Sequence, residues 1–330
     1  MRKSYLITFV LMFLFGISQA QDLKFESGSS FKIVQFTDVH YKPNVAESDT
    51  AIMMINEVLD IEKPDLVVLT GDIAWGATTK ECFDNVLEPV IKRNIPWAYV
   101  NGNHDDEHDW NRTQLMDYLV TKPFCLAQHG SEDLKGVGNY ILEIRSSDDK
   151  DKISNLLYFF DSGSYKDSYP GVGWSYDWLS NGQVNWYRAQ SKAYTAQNGG
   201  NPYNALAFFH IPLAEYPLMS ANKDKLIGHY NEQECNGKIN TGMFAAMIES
   251  GDVSGVFVGH DHDNDYIGNY MGIALAYGRF SGGNTVYNNL GLNGCRVINL
   301  EEGKEGFSTH IRLRGGEVLF PVSFPSDFEE

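Results

Sequence analysis

"IPWAYVNGNHDDEH", Ile95 to His108, passes without interruption from an apolar run into two asparagines, two histidines and three carboxylates. So short a run of apolar and aromatic residues predicts a strand buried on both faces. A buried strand whose exit carries this much hydrogen-bonding and metal-ligating chemistry points to a site at its end. Working toward the N-terminus, "DLVVLT" (Asp65 to Thr70) and "FKIVQFT" (Phe31 to Thr37) predict two more strands. Between the three, Thr79 to Arg93 and Ser48 to Lys63 place apolar residues at helical spacing. Strand, helix, strand, helix, strand is the order of a sheet covered by helices.

Downstream, the residues from Asn111 to Asn204 are less regular. A helix is predicted near Gln114 to Val120, strands near Tyr140 to Arg145 and Leu156 to Phe160, and a Gly/Tyr/Trp-rich loop from Ser162 to Asn181. A helix follows near Gln183 to Gln197. The alternation resumes with "NALAFFH" (Asn204 to His210), a helix near Thr241 to Ser250, and "GVFVGH" (Gly255 to His260). From about Tyr270 to Leu313 the chain predicts several short strands with Gly-rich turns. No internal repeat and no linker divides the chain.

With 330 residues, 43% hydrophobic and 21% charged, the chain can bury a sizeable core. Its formal charge of −17 argues against a nucleic-acid polymer or an anionic membrane surface as partner. The first twenty residues combine Arg2 and Lys3, the apolar run Tyr5 to Ile17, and the small-residue end Ser18 to Ala20. That is the pattern of a signal peptide cleaved after Ala20, and the run is shorter than the ~20 residues that span a bilayer. The expectation is export to a periplasm or the cell exterior without a stable membrane anchor, leaving 21–330 as one domain. Cys82, Cys125, Cys235 and Cys295 are widely spaced with no C-x-x-C pair, which disfavours a thiolate metal site and permits up to two disulfides.

Each strong strand ends in the same kind of chemistry. Asp38 and His40 follow the first, Asp72 the second, Asn103 and His104 the third, His210 the fourth, and His260 and His262 the fifth. Loops at the carboxyl ends of parallel strands lie together along one edge of an open sheet, so these residues are expected to converge. Two aspartates, one asparagine and four histidines suit two divalent ions such as Mn, Fe or Zn, and exceed the needs of one tetrahedral ion. Taken singly, Asp-x-His after a strand is a turn, and a lone His210 is a satisfied core histidine. The five together, with "GNHD" (Gly102 to Asp105) and "GHDH" (Gly259 to His262), outweigh those readings.

The series Asp38-x-His40, Gly71-Asp72, Gly102-Asn103-His104-Asp105, His210 and Gly259-His260-x-His262 resembles the calcineurin-like metallophosphoesterases, the superfamily that includes purple acid phosphatases. "YDWLSNGQVNWY" (Tyr176 to Tyr187), "ALAFFHIPLAEY" (Ala205 to Tyr216) and "GDVSGVFVGHDHDNDY" (Gly251 to Tyr266) look like the branch of the yeast dosage-dependent cell-cycle regulator phosphatase and its plant purple-acid-phosphatase-like relatives. The resemblance implies an α/β (α+β) fold, a four-layer αββα sandwich with two mixed β-sheets face to face, flanked by helices.

It also implies roles for individual residues. One metal ion is expected on Asp38, His40, Asp72 and His262, and the other on Asp72, Asn103, His210 and His260, with Asp72 bridging. His104 is the expected general acid beside two divalent or trivalent ions, and Asp105 is the expected orienting carboxylate for its ring. Asp106, Glu107 and His108 are expected to form a solvated helix start. Purple acid phosphatases carry a tyrosine three residues after the bridging aspartate, where this chain has Trp75, so no phenolate-to-iron colour is expected. Arg279 is a candidate phosphate contact. The implied activity is hydrolysis of a small phosphorylated substrate through a metal-bridging hydroxide, most simply as a phosphomonoesterase. Alternatives are a phosphodiesterase acting on nucleotides or other small diesters, and a phosphate-binding module without catalysis.

Overall fold

A computed structural model describes residues 22–28 and 30–329, so the expected signal peptide lies outside the described residues. In chain order the elements begin with β1 (Leu23–Lys24), β2 (Ser30–Phe36), α1 (Ala46–Glu62), β3 (Leu66–Leu69), α2 (Thr79–Lys92), β4 (Trp97–Tyr99) and α3 (Arg112–Leu119). Then come β5 (Tyr140–Arg145), β6 (Ile153–Phe159), β7 (Tyr165–Tyr169), β8 (Gly173–Tyr176), α4 (Asn181–Gln197), β9 (Asn204–Phe208) and α5 (Tyr216–Ser220). The last are α6 (Met243–Ser250), β10 (Val253–Val258), β11 (Ile267–Tyr270), β12 (Ile273–Tyr277), β13 (Gly294–Glu301), β14 (Phe307–Leu313) and β15 (Val318–Phe324).

Two large mixed sheets result. One has the order β1-β5-β6-β9-β10-β12-β11 and the other β15-β14-β13-β2-β3-β4, while β7 and β8 pair only with each other. Strand periodicity decides which side chains lie between the sheets. On β6, β9 and β10, Leu157, Phe159, Leu206, Phe208 and Phe257 join the core shared with the six-stranded sheet. Their neighbours Leu156, Tyr158, Ala205, Ala207, Val256 and Val258 face the other way, onto Val184 and Tyr187 of α4, Met219 of α5 and Met247 of α6. Helix α1 buries Ala51, Met54, Ile55, Val58 and Leu59 at helical spacing on the six-stranded sheet's outer side. The fold is therefore the expected αββα arrangement.

The helices begin where local chemistry sets them. Ser180 caps α4 by accepting from Gln183 N at 3.3 Å while Gln183 Oε1 accepts from Ser180 N at 2.7 Å. The same reciprocal box, Asn111 with Gln114, starts α3 earlier than the apolar pattern predicts. The Ser162–Asn181 loop contains the β7–β8 hairpin, which sequence periodicity does not reveal. Asp106, Glu107 and His108 lie in turns before α3 rather than in a helix start. All four cysteines are free thiols, and no helix among the described residues is long and apolar enough to cross a membrane.

An ion cluster ties α1 to the six-stranded sheet. Glu62, with a side chain 3% exposed, accepts from Lys32 Nζ at 2.9 Å and Arg312 Nε at 2.6 Å, with His310 Nε2 at 3.3 Å. Burial works to raise its pKa, but these three partners outweigh burial and hold the carboxyl well below its usual range. A depressed carboxylate adds stability above its unfolded pKa of about 4.3 and loses that stability as the pH falls toward the folded value. Glu62→Ala is expected to cost about 2–4 kcal/mol at pH 7, below the fully buried range because Lys32 and Arg312 retain some water contact. Urea midpoints at pH 7 and below pH 4 check this, and a difference between wild type and variant that does not shrink in acid refutes it.

Candidate metal centre

The five ligand-bearing strand ends come from two sheets. Strands β2, β3 and β4 lie side by side in the six-stranded sheet, and β9 and β10 lie side by side in the seven-stranded one. The site thus occupies the line where two sheet edges meet, not one edge of a single sheet. Gln35 Nε2 stitches them by donating to Thr70 Oγ1 at 2.9 Å and Val258 O at 3.1 Å. Arg296 of β13 does the same from below, donating to Tyr277 O at 2.7 Å and Asp265 O at 2.6 Å.

Two buried groups form at this seam. Asp38, His40 and His262 present ligand atoms within 4.8 Å of one another, and so do Asp72, His210 and His260. Asp72 belongs to the second group and also approaches the first, its Oδ2 lying 3.6 Å from His40 Nε2 and 3.2 Å from His210 Nε2. Its Oδ1 accepts the backbone N–H of His104 at 2.8 Å. His40 Nε2 and His262 Nε2 are 3.1 Å apart. Asn103 donates through Nδ2 to Tyr165 Oη at 2.9 Å, leaving Oδ1 buried without a partner. His210 Nε2 and His260 Nε2 are likewise buried and unpartnered.

Buried polar atoms normally find a hydrogen bond, so these orphaned acceptors test the fit of a metal. They fit one. His210 Nδ1 is committed to Thr70 O at 2.7 Å and His262 Nδ1 to Tyr287 O at 3.0 Å, which leaves each Nε2 lone pair facing the site. Burial and the neighbouring His262 lower the pKa of His40, and burial and His210 lower that of His260, so both stay neutral as ligands must be. Burial also works to lower His210, but Asp72 and Asp38 outweigh it and push its pKa up to about 9, so a bound ion would replace the Nε2 proton that these carboxylates favour. Burial raises Asp38, whereas the imidazoles around Asp72 hold that carboxyl well below its ordinary value against burial. Such a set, without a thiol, matches Mn, Fe or Zn.

Four of the candidate ligands carry backbone strain. Asp38, His40, Asp72 and His260 have φ of 52°, 44°, 52° and 83°, in the left-handed region that non-glycine residues avoid. The close approach explains two glycines. A Cβ on Gly102 would stand 2.1 Å from Asp72 Oδ1, and one on Gly259 would stand 1.9 Å from Thr37 Oγ1.

Asp105 does not orient His104. Its buried carboxylate accepts from Asp72 N at 2.9 Å, Ile73 N at 2.8 Å, Ala74 N at 3.0 Å, Gly102 N at 2.9 Å and Tyr99 Oη at 2.8 Å. It is the clamp that holds the Asp72 loop to the Asn103 loop. The carboxylate on His104 is Glu107, whose Oε2 lies 2.5 Å from Nδ1. Trp75 packs edge-on against His40 and His104, with centroids 5.3 and 4.8 Å away. Arg279 is no phosphate contact, because it is buried in an ion pair with Asp265 Oδ2 at 2.7 Å and bonds Leu290 O and Leu292 O.

Two contributors are invisible to sequence reading. Arg112 bonds Gly102 O at 2.8 Å, Gly163 O at 3.0 Å, Asp106 Oδ2 at 3.1 Å and Asp161 Oδ1, binding the Asn103 loop to the start of the hairpin. Tyr165 sits on that hairpin and orients Asn103. Neither residue belongs to a motif, and only the folded chain brings them to the ligands.

The sequence profile of the family described as Calcineurin-like phosphoesterase matches residues 31–264. The chain is 34% identical to probable inactive purple acid phosphatase 29 of Arabidopsis thaliana, over 79% of this chain and 74% of that protein. It is 36% identical to phosphatase DCR2 of Saccharomyces cerevisiae, over 75% of this chain and 46% of that protein. Among solved structures, a dimetal phosphatase from Danio rerio shares the fold with a TM-score of 0.60 at 13% identity, covering 89% of this chain and 98% of that one. The profile reaches from the strand that delivers Asp38 to the loop that carries His262, and over that span this chain belongs to the calcineurin-like phosphoesterase family.

Proposed function

We propose that the protein is a metal-dependent phosphoric ester hydrolase acting as a phosphomonoesterase on small phosphorylated molecules. The observation that carries this reading is the pair of neighbouring buried ligand groups, with Asp72 Oδ2 3.6 Å from His40 Nε2 of one and 3.2 Å from His210 Nε2 of the other, and with Asn103 Oδ1, His210 Nε2 and His260 Nε2 buried without a hydrogen bond. Asp38, His40, Asp72 and His262 would hold one ion, and Asp72, Asn103, His210 and His260 the other. When bound, the ions supply a nucleophilic water at neutral pH and neutralise charge on the phosphoryl oxygens.

The chain's own residues do the rest. Glu107 fixes the His104 ring through Nδ1, so Nε2 is the nitrogen that gives a proton to the departing ester oxygen as the P–O bond breaks. The His104 backbone N–H holds Asp72 in place, and Tyr165 holds Asn103. Three plant relatives are named probable inactive purple acid phosphatases. A catalytic reading is supported here because all seven ligands and His104 are present and the ligands are assembled. The same reading takes 21–330 as a single domain, exported after loss of residues 1–20 to a periplasm or the cell exterior.

Protein loaded with Mn(II) or Zn(II) is expected to hold about two ions per chain, as in two-metal hydrolases. Metal analysis giving one ion or none refutes the dinuclear site. Turnover of p-nitrophenyl phosphate well above that of its bis ester supports a monoesterase, and the reverse order replaces it with a diesterase.

A further inference from the structure

We propose that the β7–β8 hairpin and Tyr287 form an aromatic subsite beside the ligand groups, and that the preferred substrate is a singly phosphorylated ester whose organic part carries a planar aromatic ring. This rests on the phosphoesterase reading and names its substrate class. Among the described residues, the exposed large aromatic side chains are Tyr169, Trp174 and Tyr287, and all three lie on this hairpin or directly beside a ligand histidine.

The rings form a continuous path out of the site. Tyr176 stands edge-on to His260 with centroids 4.3 Å apart, and Trp174 lies 5.1 Å from Tyr176. Tyr165 connects the same cluster to His104 at 6.2 Å and to Trp174 at 6.3 Å. The path starts at a ligand and at the proton donor and ends at an indole that is 50% exposed. Across the site, Tyr287 stacks on His262 at 4.3 Å and 23°, and is 51% exposed. One half-bare ring therefore serves each ligand group, since His260 belongs to the Asp72 group and His262 to the Asp38 group.

Fold stability does not account for this exposure. The hairpin pairs with neither large sheet, and an indole left half in water forfeits much of the burial that makes Trp favourable. Its backbone is nevertheless pinned, with Lys238 Nζ donating to Trp174 O at 2.7 Å. A held, half-exposed ring beside a reaction centre is a stacking platform. The flanking carboxylates, Glu107 on His104 and Glu232 on Tyr287 at 3.0 Å, oppose further phosphates on the substrate. Aryl phosphates and nucleoside monophosphates share the required chemistry.

The test uses metal-loaded full-length protein and two probes, phenylphosphonate and methylphosphonate, in calorimetric binding. Wild type is expected to bind the phenyl compound about 5- to 100-fold more tightly. Trp174→Ala should bring that ratio close to one and Trp174→Phe should restore most of it. The ratio reports on folded molecules alone, so partial unfolding of a variant does not mimic the result. In turnover, phenyl phosphate and adenosine monophosphate are each compared with glycerol 2-phosphate. A fall confined to the nucleotide in Trp174→Ala assigns the platform to a base, and a fall in both assigns it to any aryl group. A wild-type binding ratio near one, or one unchanged in Trp174→Ala, overturns the subsite, and hydrolysis of all three esters would then leave the phosphoesterase reading intact. Discrimination between the phosphonates without hydrolysis of any ester keeps the subsite and removes the phosphoesterase reading.

Discussion

His104→Ala is expected to retain both metal ions and to lose about 10²- to 10⁴-fold in kcat, the usual contribution of a positioned general acid. The geometry separates the two properties. His104 belongs to neither ligand group, and its side chain, 24% exposed, lines the opening of the site between Trp75 and Tyr165. Its backbone N–H, which alanine keeps, supplies the bond to Asp72. A general acid matters most when the leaving oxygen is a poor one, so the loss should be larger for an alkyl phosphate than for p-nitrophenyl phosphate. Glu107→Gln keeps the size and an acceptor oxygen but removes the charge beside Nδ1, and should show the same substrate dependence with a smaller loss. Equal losses on both esters would make His104 a binding group, and unchanged turnover would remove it from the chemistry.

Asp105→Ala should be the most damaging single substitution to the site's architecture. The carboxylate is fully buried and satisfies four backbone N–H groups and one phenol. Each donor left buried without an acceptor costs about 1–3 kcal/mol. Several together pass the ~4–5 kcal/mol that marks an exceptional substitution. Asp105→Asn is the informative partner, since it keeps one acceptor oxygen but points an NH2 group at donors. It should lower metal affinity by about 10- to 100-fold, as loss of a partner behind metal ligands does. Calorimetric metal titration and thermal melting check both variants. If Asp105→Asn lowered kcat while metal affinity and melting stayed unchanged, Asp105 would be serving His104 after all, as its place in the sequence suggests.

That contrast shows where sequence reading stops. Adjacent residues in a tight turn point in different directions, so the carboxylate next to His104 in the chain faces backbone amides. The one three residues later folds back onto the ring. Trp75 was expected to displace a phenolate, and its indole packs against His40 and His104. Arg279 follows a strand as a phosphate contact might, yet Asp265 and two carbonyls take up its donors. The β7–β8 hairpin is short and polar on β7, so it lacks the apolar run that identified β2, β3 and β9.

What the amino-acid order determined by itself was local. Apolar runs of strand length, helical spacing between them, and acidic and imidazole groups at each strand exit need only backbone periodicity to be read, and they sufficed to anticipate the candidate ligand set and a sheet covered by helices, whereas the four-layer sandwich came only from the family resemblance. Tertiary structure alone decided that the ligands come from the facing edges of two sheets, that Asp105 clamps loops while Glu107 attends His104, and that Tyr165 and Arg112 brace the Asn103 loop. Those outcomes depend on side-chain direction and on packing between segments far apart in the chain, neither of which leaves a periodic trace in the sequence.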